Sequence, residues 1–272
     1  MTATAAGAVE RWAPALGAVI AERRWFTVPT VPTDRNGGPA AIGEPFVITV
    51  GGRTVRGQSW GDGRPVYLVH GWGGWGGQLV AFVRPLVERG YRVVAYDSLS
   101  HGESDRGALG PRRSTLVEMA EVLAAVADVY GPPAGVIAHS LGAPATAWAL
   151  RAGVKADRVV FVAPPANPAP YLGMVVRGLG FGRRVLARTR ARAERRVSVP
   201  LADFDVPRVA AELDTPPLLV VHDVDDREVP WSDGSAIADA WPRATLLSTT
   251  GLGHRRLLRD PVVLAEVASF LA

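Results

Sequence analysis

The chain has 272 residues, a length that suits one α/β domain or one domain with an insertion. Its residues are 48% hydrophobic, with 30 glycines and 22 prolines, a globular composition that excludes a disordered chain. The net charge is only +4, and Lys155 is the only lysine among the 30 basic residues. The absence of cysteine excludes disulfides, thiolate metal sites and a cysteine nucleophile.

The N-terminal residues do not have the pattern of a secretory signal. Such a signal begins with a basic region, and here Glu10 and Arg11 interrupt the apolar run. No stretch of about 18 uninterrupted apolar residues occurs, so we expect no transmembrane helix. The sequence therefore predicts a cytoplasmic protein.

Residues 1–44 are predicted to form an N-terminal helix and a connector. The segment Ala5 to Arg24 has apolar residues at helical spacing, which predicts an amphipathic helix. We favour packing of this helix against the body of the domain, and docking on a membrane surface or a partner is the alternative. The connector is the Pro- and Gly-rich stretch from Pro29 to Gly43.

Residues 45–272 show the alternation of an α/β domain. Phe46 to Val50 and Thr54 to Trp60 flank Gly51-Gly52 and predict a β-hairpin. From Val66 onward, short apolar strands alternate with helices, which is typical of a parallel sheet covered on both faces. The predicted strands are Val66 to His70, Tyr91 to Tyr96, Gly135 to Ala138, Arg158 to Val162, Pro217 to His222 and Ala244 to Ser248. The predicted helices are Leu79 to Arg89, Ser114 to Tyr130, Leu141 to Leu150, Trp231 to Ala240 and Pro261 to Leu271.

Residues 164–205 interrupt this alternation. The segment opens with four prolines, continues with an apolar stretch and ends in a run dense in arginine, which predicts an inserted cap of one or two helices. We interpret the arginine run as a solvated helix face. Selection of acidic substrates or contact with a membrane surface is the alternative. Nucleic acid is not an expected partner, because the charges are confined to one segment without interleaved aromatic residues.

The stretch from Val136 to Gly142 predicts a nucleophilic serine. A buried strand stops at His139-Ser140, and an Ala-rich helix follows at once. The pattern small-x-Ser-x-small, with Ala138 and Gly142 as the small residues, is that of a strand–turn–helix nucleophile motif. The turn is so tight that larger side chains at these two positions would meet neighbouring backbone.

A serine nucleophile requires a base, and five histidines are candidates: His70, His101, His139, His222 and His254. Four of them lie at strand ends or beside Ser140. Only His254 lies in a late Gly-flanked loop, Gly251-Leu252-Gly253, between the last strand and the last helix. We therefore expect His254 to be the base.

The acid that orients the base should lie in the loop after the strand Leu218 to Val221. That loop contains three aspartates. Asp226 precedes Val229-Pro230, which favours the start of the next helix, and is our first choice. Asp225 is the second choice. Asp223 lies close to its strand and is the third.

Backbone N–H groups should form the oxyanion hole. Leu141 lies at the start of the helix that follows the serine, where helix N–H groups point toward an anion. Gly71 lets the preceding loop turn so that the Trp72 N–H can face Ser140. We favour the interpretation that the side chains of Trp72 and Trp75 cover the edge of the sheet and in part line a substrate pocket.

Five motifs together resemble the α/β-hydrolase family, from about Phe46 to the C-terminus and without the cap. They are His70-Gly71-Trp72, Asp97 to Ser104, Ala138 to Gly142, Asp226 to Pro230 and Gly253-His254. The order Ser140, Asp226, His254 is also the order of this family. The chain departs from the usual D-x-P-G-H-G-x-S motif, because Leu99 and Ser100 replace Pro and Gly, which leaves the shape of that loop open.

The resemblance implies an α/β-hydrolase fold with a mostly parallel eight-stranded sheet, helices on both faces and a short helical cap. It also implies a serine hydrolase that cleaves a carboxylic ester or related acyl bond of a small apolar substrate, without a metal or an organic cofactor. Trp75 and, in the apolar half of the cap, Met174 are the expected pocket residues. Acyl transfer, thioester cleavage and a non-catalytic binding role remain alternatives. Peripheral membrane contact and the oligomeric state stay open.

One rival class has its own motif. Gly71-Trp72-Gly73-Gly74-Trp75-Gly76 fits the dinucleotide pattern G-x-G-x-x-G, with Asp97 about 20 residues further on. A nicotinamide-dependent oxidoreductase is disfavoured because a hairpin precedes this strand and bulky tryptophans suit a phosphate loop poorly. That interpretation also leaves the spacing of Ser140, Asp226 and His254 unexplained.

Overall fold

The computed structural model describes residues 3–29 and 43–272, so most of the predicted connector lies outside the described residues. The chain forms two compact units. The larger consists of Val28–Ala166 and Val206–Ala272, and the smaller of Met1–Thr27 and Asn167–Asp205. The N-terminal segment and the predicted cap thus belong to one unit, whereas the sequence analysis treated them as separate parts.

The strands, in chain order, are β1 Glu44–Val50, β2 Arg53–Trp60, β3 Pro65–Val69, β4 Arg92–Tyr96, β5 Gly135–His139, β6 Arg158–Val162, β7 Leu218–Asp223 and β8 Ala244–Thr249. The helices are α1 Ala3–Trp12, α2 Pro14–Trp25, α3 Val83–Val87, α4 Leu116–Tyr130, α5 Gly142–Arg151, α6 Ala169–Gly178, α7 Arg183–Val197, α8 Val206–Glu212, α9 Trp231–Ala240, α10 Gly253–Arg256 and α11 Pro261–Leu271. Short 3₁₀ helices cover Gly76–Phe82, Leu201–Phe204 and Leu257–Arg259.

The larger unit is built on one eight-stranded sheet with the order β1-β2-β4-β3-β5-β6-β7-β8. The β1–β2 hairpin is antiparallel, and β2 is also antiparallel to β4. All pairings from β4 through β8 are parallel. The predicted hairpin and the mostly parallel eight-stranded sheet are confirmed.

Helices cover both faces of this sheet. On one face Val136 and Phe161 belong to a core cluster with side chains of α4 and α5. On the other face Ile137 and Val160 belong to a second cluster with side chains of α3 and α11. Every residue of β5 is buried between these layers, and each fully buried aliphatic side chain contributes about 1.5–3 kcal/mol. The burial on both faces explains why the central strands are apolar without alternation.

Two helices of the larger unit begin later than their sequence predicts. The predicted helix from Leu79 starts as a 3₁₀ turn, and the α-helix begins only at Val83, which leaves Pro85 in the first turn, where its missing N–H is tolerated. The predicted helix from Ser114 begins at Leu116, because Thr115 caps it by accepting the Glu118 N–H at 3.0 Å.

The N-terminal segment forms two helices where one was predicted. The break falls at Ala13, whose φ of −138° is not helical, and α2 begins at Pro14. Proline lacks a backbone N–H and its ring excludes the preceding helical turn, so it is accepted at the first position of a helix and not in the middle. The single-helix prediction was wrong. The apolar spacing continues across Pro14, but a proline cannot lie in the middle of an undistorted helix.

Helix α2 packs on the arginine-rich helix α7 within the smaller unit. Gly17, Ala18 and Ala21 are buried on α2, and a Cβ at Gly17 would lie 2.7 Å from Val185 of α7. Small residues on the contact face let the two helix axes approach closely. The favoured prediction placed this helix on the body of the domain, and the structure gives it a partner in the cap.

The carboxylate of Glu22 joins these two helices. Glu22 is buried, and its two carboxylate oxygens accept hydrogen bonds from Arg192 at 2.8 Å and Arg196 at 2.9 Å. Burial raises the pKa of the Glu22 carboxyl, but the two guanidinium groups outweigh this effect and hold it below its ordinary value. The arginine run is therefore not only a solvated face, since two of its members neutralise a buried carboxylate.

Glu10 secures the beginning of α7. Its carboxylate accepts the backbone N–H groups of Gly182, Arg184 and Val185, at 2.9, 2.8 and 3.3 Å. These N–H groups have no partner inside the helix, and a negative charge at a helix N-terminus is stabilising. Helix α7 is thus held at both ends by carboxylates of the N-terminal segment.

The inserted segment leaves and re-enters the larger unit at adjacent points, because the Val206 N–H donates to the Ala166 carbonyl at 2.8 Å. Among the helices in the described ranges, none has both the length and the apolar character needed to cross a bilayer.

We expect Glu22→Gln to loosen α2 and α7 without unfolding the larger unit. The amide cannot neutralise the two guanidinium groups. Because both guanidinium groups are part-exposed, the free energy that holds α2 and α7 together should fall by only about 1–2 kcal/mol. Hydrogen exchange of the α7 amides measures it. Glu88→Gln, which removes an exposed pair with Arg84, is the matched control and should change exchange little.

The same variant has a defined pH dependence. The lowered pKa of Glu22 means that its contribution is complete above the unfolded-state pKa and is lost as pH falls through the folded-state pKa. The difference between wild type and Glu22→Gln should therefore shrink on acidification. A difference that grows toward low pH would contradict this account of the ion pair.

Candidate active site

Ser140 lies at a sharp turn between β5 and α5. Its φ is +51°, a left-handed conformation that costs a residue with a side chain about 1–3 kcal/mol. Two backbone hydrogen bonds hold the turn, since the Ser140 N–H donates to Val162 and its carbonyl accepts from Ala143, both at 2.9 Å. A Cβ at Gly142 would lie 2.7 Å from the His70 carbonyl oxygen, which explains the small residue there. The local geometry is that of a nucleophile turn.

The loop after β3 lies directly against Ser140. A Cβ at Gly71 would lie 2.9 Å from the Ser140 Cβ and 3.1 Å from the His139 carbonyl oxygen. Glycine is therefore required at position 71 for this close approach. The loop continues into Trp72, and Leu141 lies on the other side of Ser140, just before α5. Of the two residues predicted to supply oxyanion N–H groups, Leu141 directly follows Ser140, and Trp72 directly follows Gly71.

Asp226 and His254 are hydrogen-bonded to each other. The distance between His254 Nδ1 and Asp226 Oδ2 is 2.8 Å, and both side chains are largely buried. The carboxylate holds the proton on Nδ1, which leaves Nε2 as the basic nitrogen. Of the three aspartates that the sequence offered, the structure brings Asp226 to the histidine.

The other two aspartates shape the loops around this pair. The Asp223 carboxylate accepts hydrogen bonds from the Thr249 hydroxyl and the Leu252 N–H, at 2.7 and 3.0 Å. The Asp225 carboxylate accepts the Gly251 N–H at 2.9 Å. Both therefore tie the loop after β7 to the loop that carries His254.

His222 is a neighbour of this pair that the sequence analysis assigned no role. Its fully buried Nε2 lies 3.1 Å from the Val229 carbonyl oxygen and 3.5 Å from Asp226 Oδ2. Burial raises the pKa of the Asp226 carboxyl, but hydrogen bonds from His222, from His254 and from the Val229 N–H outweigh it and hold the pKa well below its usual range. Asp226 therefore stays ionised throughout the neutral range. No local sequence signal distinguishes His222 from a core histidine at the end of a strand.

His139 connects the serine turn to the loop of His254. Its Nε2 donates to the His254 carbonyl oxygen at 3.1 Å, and the two rings lie 4.8 Å apart between centroids, at 48°. Because His139 immediately precedes Ser140, this contact brings the base and the predicted nucleophile to the same edge of the sheet. Burial, aided by the neighbouring His254, lowers the pKa of His139 to about 3.

His70 connects the glycine loop to the loop after β4. Its Nδ1–H donates to the Gly71 carbonyl at 2.7 Å, and its Nε2 accepts the Ser98 N–H at 2.9 Å. Burial lowers the pKa of His70 to about 4, and burial together with His70 lowers that of His101 to about 3. Both rings are thus neutral supports of the loops around the serine.

The residues that depart from the family motif fit their loop. Ser100, which replaces the usual glycine, takes a left-handed φ of +65°, and its hydroxyl donates to the Arg113 carbonyl at 2.7 Å while accepting the Gly107 N–H at 2.8 Å. Leu99 is buried in the core. The side-chain hydrogen bonds offset the cost of the left-handed backbone at a position where glycine is preferred.

Trp75, a predicted pocket residue, does not line the cleft of Asp226 and His254 in the described structure. Trp75 lines a groove of about 540 Å³ together with Phe46 and Trp60, and Ser140, Asp226 and His254 are not among the described residues of that groove. Met174 lies on α6 of the smaller unit and is more than half exposed. Asp226 and His254 themselves line a cleft of about 760 Å³ with Val224.

Comparison with known proteins agrees with the fold. A family model described as the alpha/beta hydrolase family matches residues 66–267. The chain is 28% identical to a non-heme chloroperoxidase of Streptomyces lividans, over 80% of this chain and 95% of the relative. It is similar in structure to a hydrolase from Pseudomonas aeruginosa PA01, with TM-score 0.65, 21% identity, and coverage of 85% and 99% of the two chains. It is also similar to a thermophilic esterase from Thermogutta terrifontis, with TM-score 0.63, 17% identity, and coverage of 84% and 98%.

The low pKa values of His70, His101 and His139 predict that the fold is sensitive to acid. Their folded-state pKa values of about 3 to 4 lie below the ordinary 6.5, so the unfolded state binds more protons as pH falls. Stability should be complete above pH 6.5 and should drop by on the order of 2 kcal/mol per histidine between pH 7 and 5. Urea denaturation over this range measures the drop.

Nitrogen-15 NMR of the imidazoles is the direct check. At pH 5 the rings of His70, His101 and His139 should still be neutral, with the proton on Nδ1 in His70 and on Nε2 in His139. Titration of any of the three near pH 6.5 would contradict their placement in the core.

Proposed function

Because the chain belongs to the α/β-hydrolase family, we propose that it is a serine hydrolase acting on a carboxylic ester of a small apolar substrate. The observation that carries this proposal is the 2.8 Å hydrogen bond between His254 and Asp226, in a loop that is contacted by His139, the residue before the left-handed Ser140. The arrangement has the parts and the chain order of a Ser-His-Asp triad.

In the proposed mechanism His254 Nε2 takes the proton of the Ser140 hydroxyl as its oxygen attacks the ester carbonyl carbon. Asp226 holds the proton on Nδ1 and stabilises the imidazolium that forms. The imidazolium then protonates the leaving alcohol, which produces an acyl-enzyme. Water, deprotonated by the same nitrogen, attacks the acyl group and releases the carboxylic acid.

The Leu141 and Trp72 N–H groups are the proposed donors to the tetrahedral oxyanion. The start of α5 directs its first free N–H groups toward Ser140, and Gly71 permits the opposite loop to approach. Neither donor is a side chain, so the hole depends on the shape of two loops. This accounts for the buried hydrogen bond that His70 makes to the Gly71 carbonyl in the loop after β3.

Two observations support the ester as substrate class. The esterase from Thermogutta terrifontis shares the fold over nearly its whole length. Helix α6 is rich in apolar residues, and by its composition this segment favours an apolar acyl or alkyl group. Activity on p-nitrophenyl esters of increasing chain length, run beside acyl-thioesters, separates ester hydrolysis from thioester cleavage.

Ser140→Ala should abolish ester hydrolysis, by about a millionfold in kcat, because the acyl-enzyme can no longer form. A fluorophosphonate probe should label the wild-type protein at Ser140 and leave folded Ser140→Ala unlabelled. Undiminished hydrolysis by Ser140→Ala would refute the mechanism, and an unlabelled, folded wild type would indicate a non-catalytic member of the family.

Asp226→Asn and Asp225→Asn form a matched pair, since the two carboxylates are adjacent in the chain. Asp226→Asn should lower kcat by about ten-thousandfold, because the amide favours the wrong imidazole tautomer. Asp225→Asn removes only a loop hydrogen bond to Gly251 and should retain most of the activity. Equal losses in the two variants would mean that the acid has been misassigned.

The chloroperoxidase of Streptomyces lividans favours a second candidate with the same acyl-enzyme. Hydrogen peroxide in place of water would release a peroxy acid, and that acid would oxidise a halide ion. Halogenation of a phenolic dye that requires peroxide, halide and a carboxylic acid together, and that is lost in Ser140→Ala, would support this candidate.

A further inference from the structure

The smaller unit has a net positive charge, and the rest of the chain has a net negative charge. That unit contains 11 basic and 5 acidic residues, a net charge of +6, whereas the rest of the chain contains 19 basic and 21 acidic residues, a net charge of −2. The whole net charge of +4 therefore conceals two units of opposite sign. Such a charge distribution favours contact between the smaller unit and a polyanion.

Several of these arginines are exposed and are not used to hold the unit together. Arg192 and Arg196 neutralise Glu22, and Arg190 pairs with Glu194. Across the described ranges, Arg183, Arg188 and Arg195 have no ion-pair partner, and all three are exposed on α7. Arg23 and Arg24 are exposed at the end of the neighbouring α2. These charges are available to a ligand.

The same unit exposes large apolar side chains on its N-terminal helices. Trp12 is 75% exposed, Leu16 55% and Val19 44%. Leu16, Val19 and Arg23 lie on the face of α2 opposite to the buried Gly17, Ala18, Ala21 and Glu22. Trp12 is the last residue of α1, two positions before α2 begins. Arg11 stacks over the Trp12 ring, 4.8 Å from its centroid. Helix α2 is therefore apolar on both faces, although only one face is covered.

We propose that this surface, formed by Trp12, Leu16 and Val19 with the exposed Arg11 and Arg23, docks on an anionic lipid bilayer, to which the net positive charge of the smaller unit attracts it. A helix lying in the plane of a membrane inserts its tryptophan and aliphatic side chains among the acyl chains, and arginines contact the phosphate groups. Tryptophan next to arginine is typical of the membrane–water interface.

The chemistry of the surface favours a bilayer over other partners. A second copy of the chain would bring two units of net charge +6 together, which is repulsive. Nucleic acid would use the arginines but would leave the aliphatic residues in water. A bilayer with acidic headgroups satisfies both the apolar and the basic residues. Docking does not depend on the chemistry proposed for Ser140.

Flotation of the full chain with vesicles tests the proposal. We expect binding to vesicles of equal parts phosphatidylcholine and phosphatidylglycerol, little binding to pure phosphatidylcholine, and weaker binding at about 150 mM than at about 25 mM salt. Ser140→Ala should bind as well as the wild type, which separates docking from catalysis. Absence of binding to the anionic vesicles at low salt would overturn the proposal.

Two matched pairs of variants locate the surface. Trp12→Gln/Leu16→Gln/Val19→Gln should weaken binding by more than about a hundredfold, while Val129→Gln/Val262→Gln, exposed on helices of the larger unit, should leave it unchanged. Arg11→Gln/Arg23→Gln should weaken binding by about fivefold per arginine, and Arg89→Gln/Arg106→Gln should not. Equal losses in the controls would show that binding is not located here.

Two further outcomes would assign the surface to another occupant. Sedimentation that shows a dimer in the wild type and a monomer in the Trp12, Leu16 and Val19 variant would make it a self-association face. Binding of duplex DNA as strong as that of anionic vesicles, and unaffected by the same variant, would make the arginines a general polyanion site. Either result contradicts the membrane proposal.

Discussion

The left-handed backbone at Ser140 is the constraint on which the larger unit depends. A serine in this conformation is strained, and it persists only because neighbouring groups fix the turn from several sides. The Val162 carbonyl holds its N–H, and Gly142 fits against the His70 carbonyl. These partners come from β6 and from the loop after β3, the two strands that flank β5 in the sheet. The order of the strands therefore stabilises the strained turn. It also places Ser140 at the carboxyl edge of the sheet.

Local pattern was sufficient to predict the strands and the turn between strand and helix at Ser140. Continuous apolar runs identify strands that are buried on both faces, and β5 is buried from end to end. The small residues around Ser140 follow from steric limits that the chain cannot avoid. The position of His254 follows from the order of elements, because the carboxyl ends of parallel strands meet at one edge.

The choice among the three aspartates depended on the folded loop and was not fixed by local pattern. Asp223, Asp225 and Asp226 have the same carboxylate, and the sequence offers only their distances from a strand and from a proline. In the structure two of them bind the loop that carries His254, and only Asp226 reaches its ring. His222 was missed because a histidine at the end of a strand has no local signal that tells a hydrogen-bond donor from a core residue.

The architecture of the smaller unit was the least accessible to sequence, because its decisive contacts join residues about 170 positions apart. Nothing near Glu22 indicates that Arg192 and Arg196 will be its partners, and a solvated helix face was the reasonable expectation for the arginine run. Once α2 and α7 are paired, the small residues of α2 are committed to the contact. Its large apolar residues are then left on the outside, with exposed arginines on the partner helix. A cluster of exposed tryptophan, leucine and valine beside arginines is typical of an interaction surface, and this is the basis of the membrane proposal.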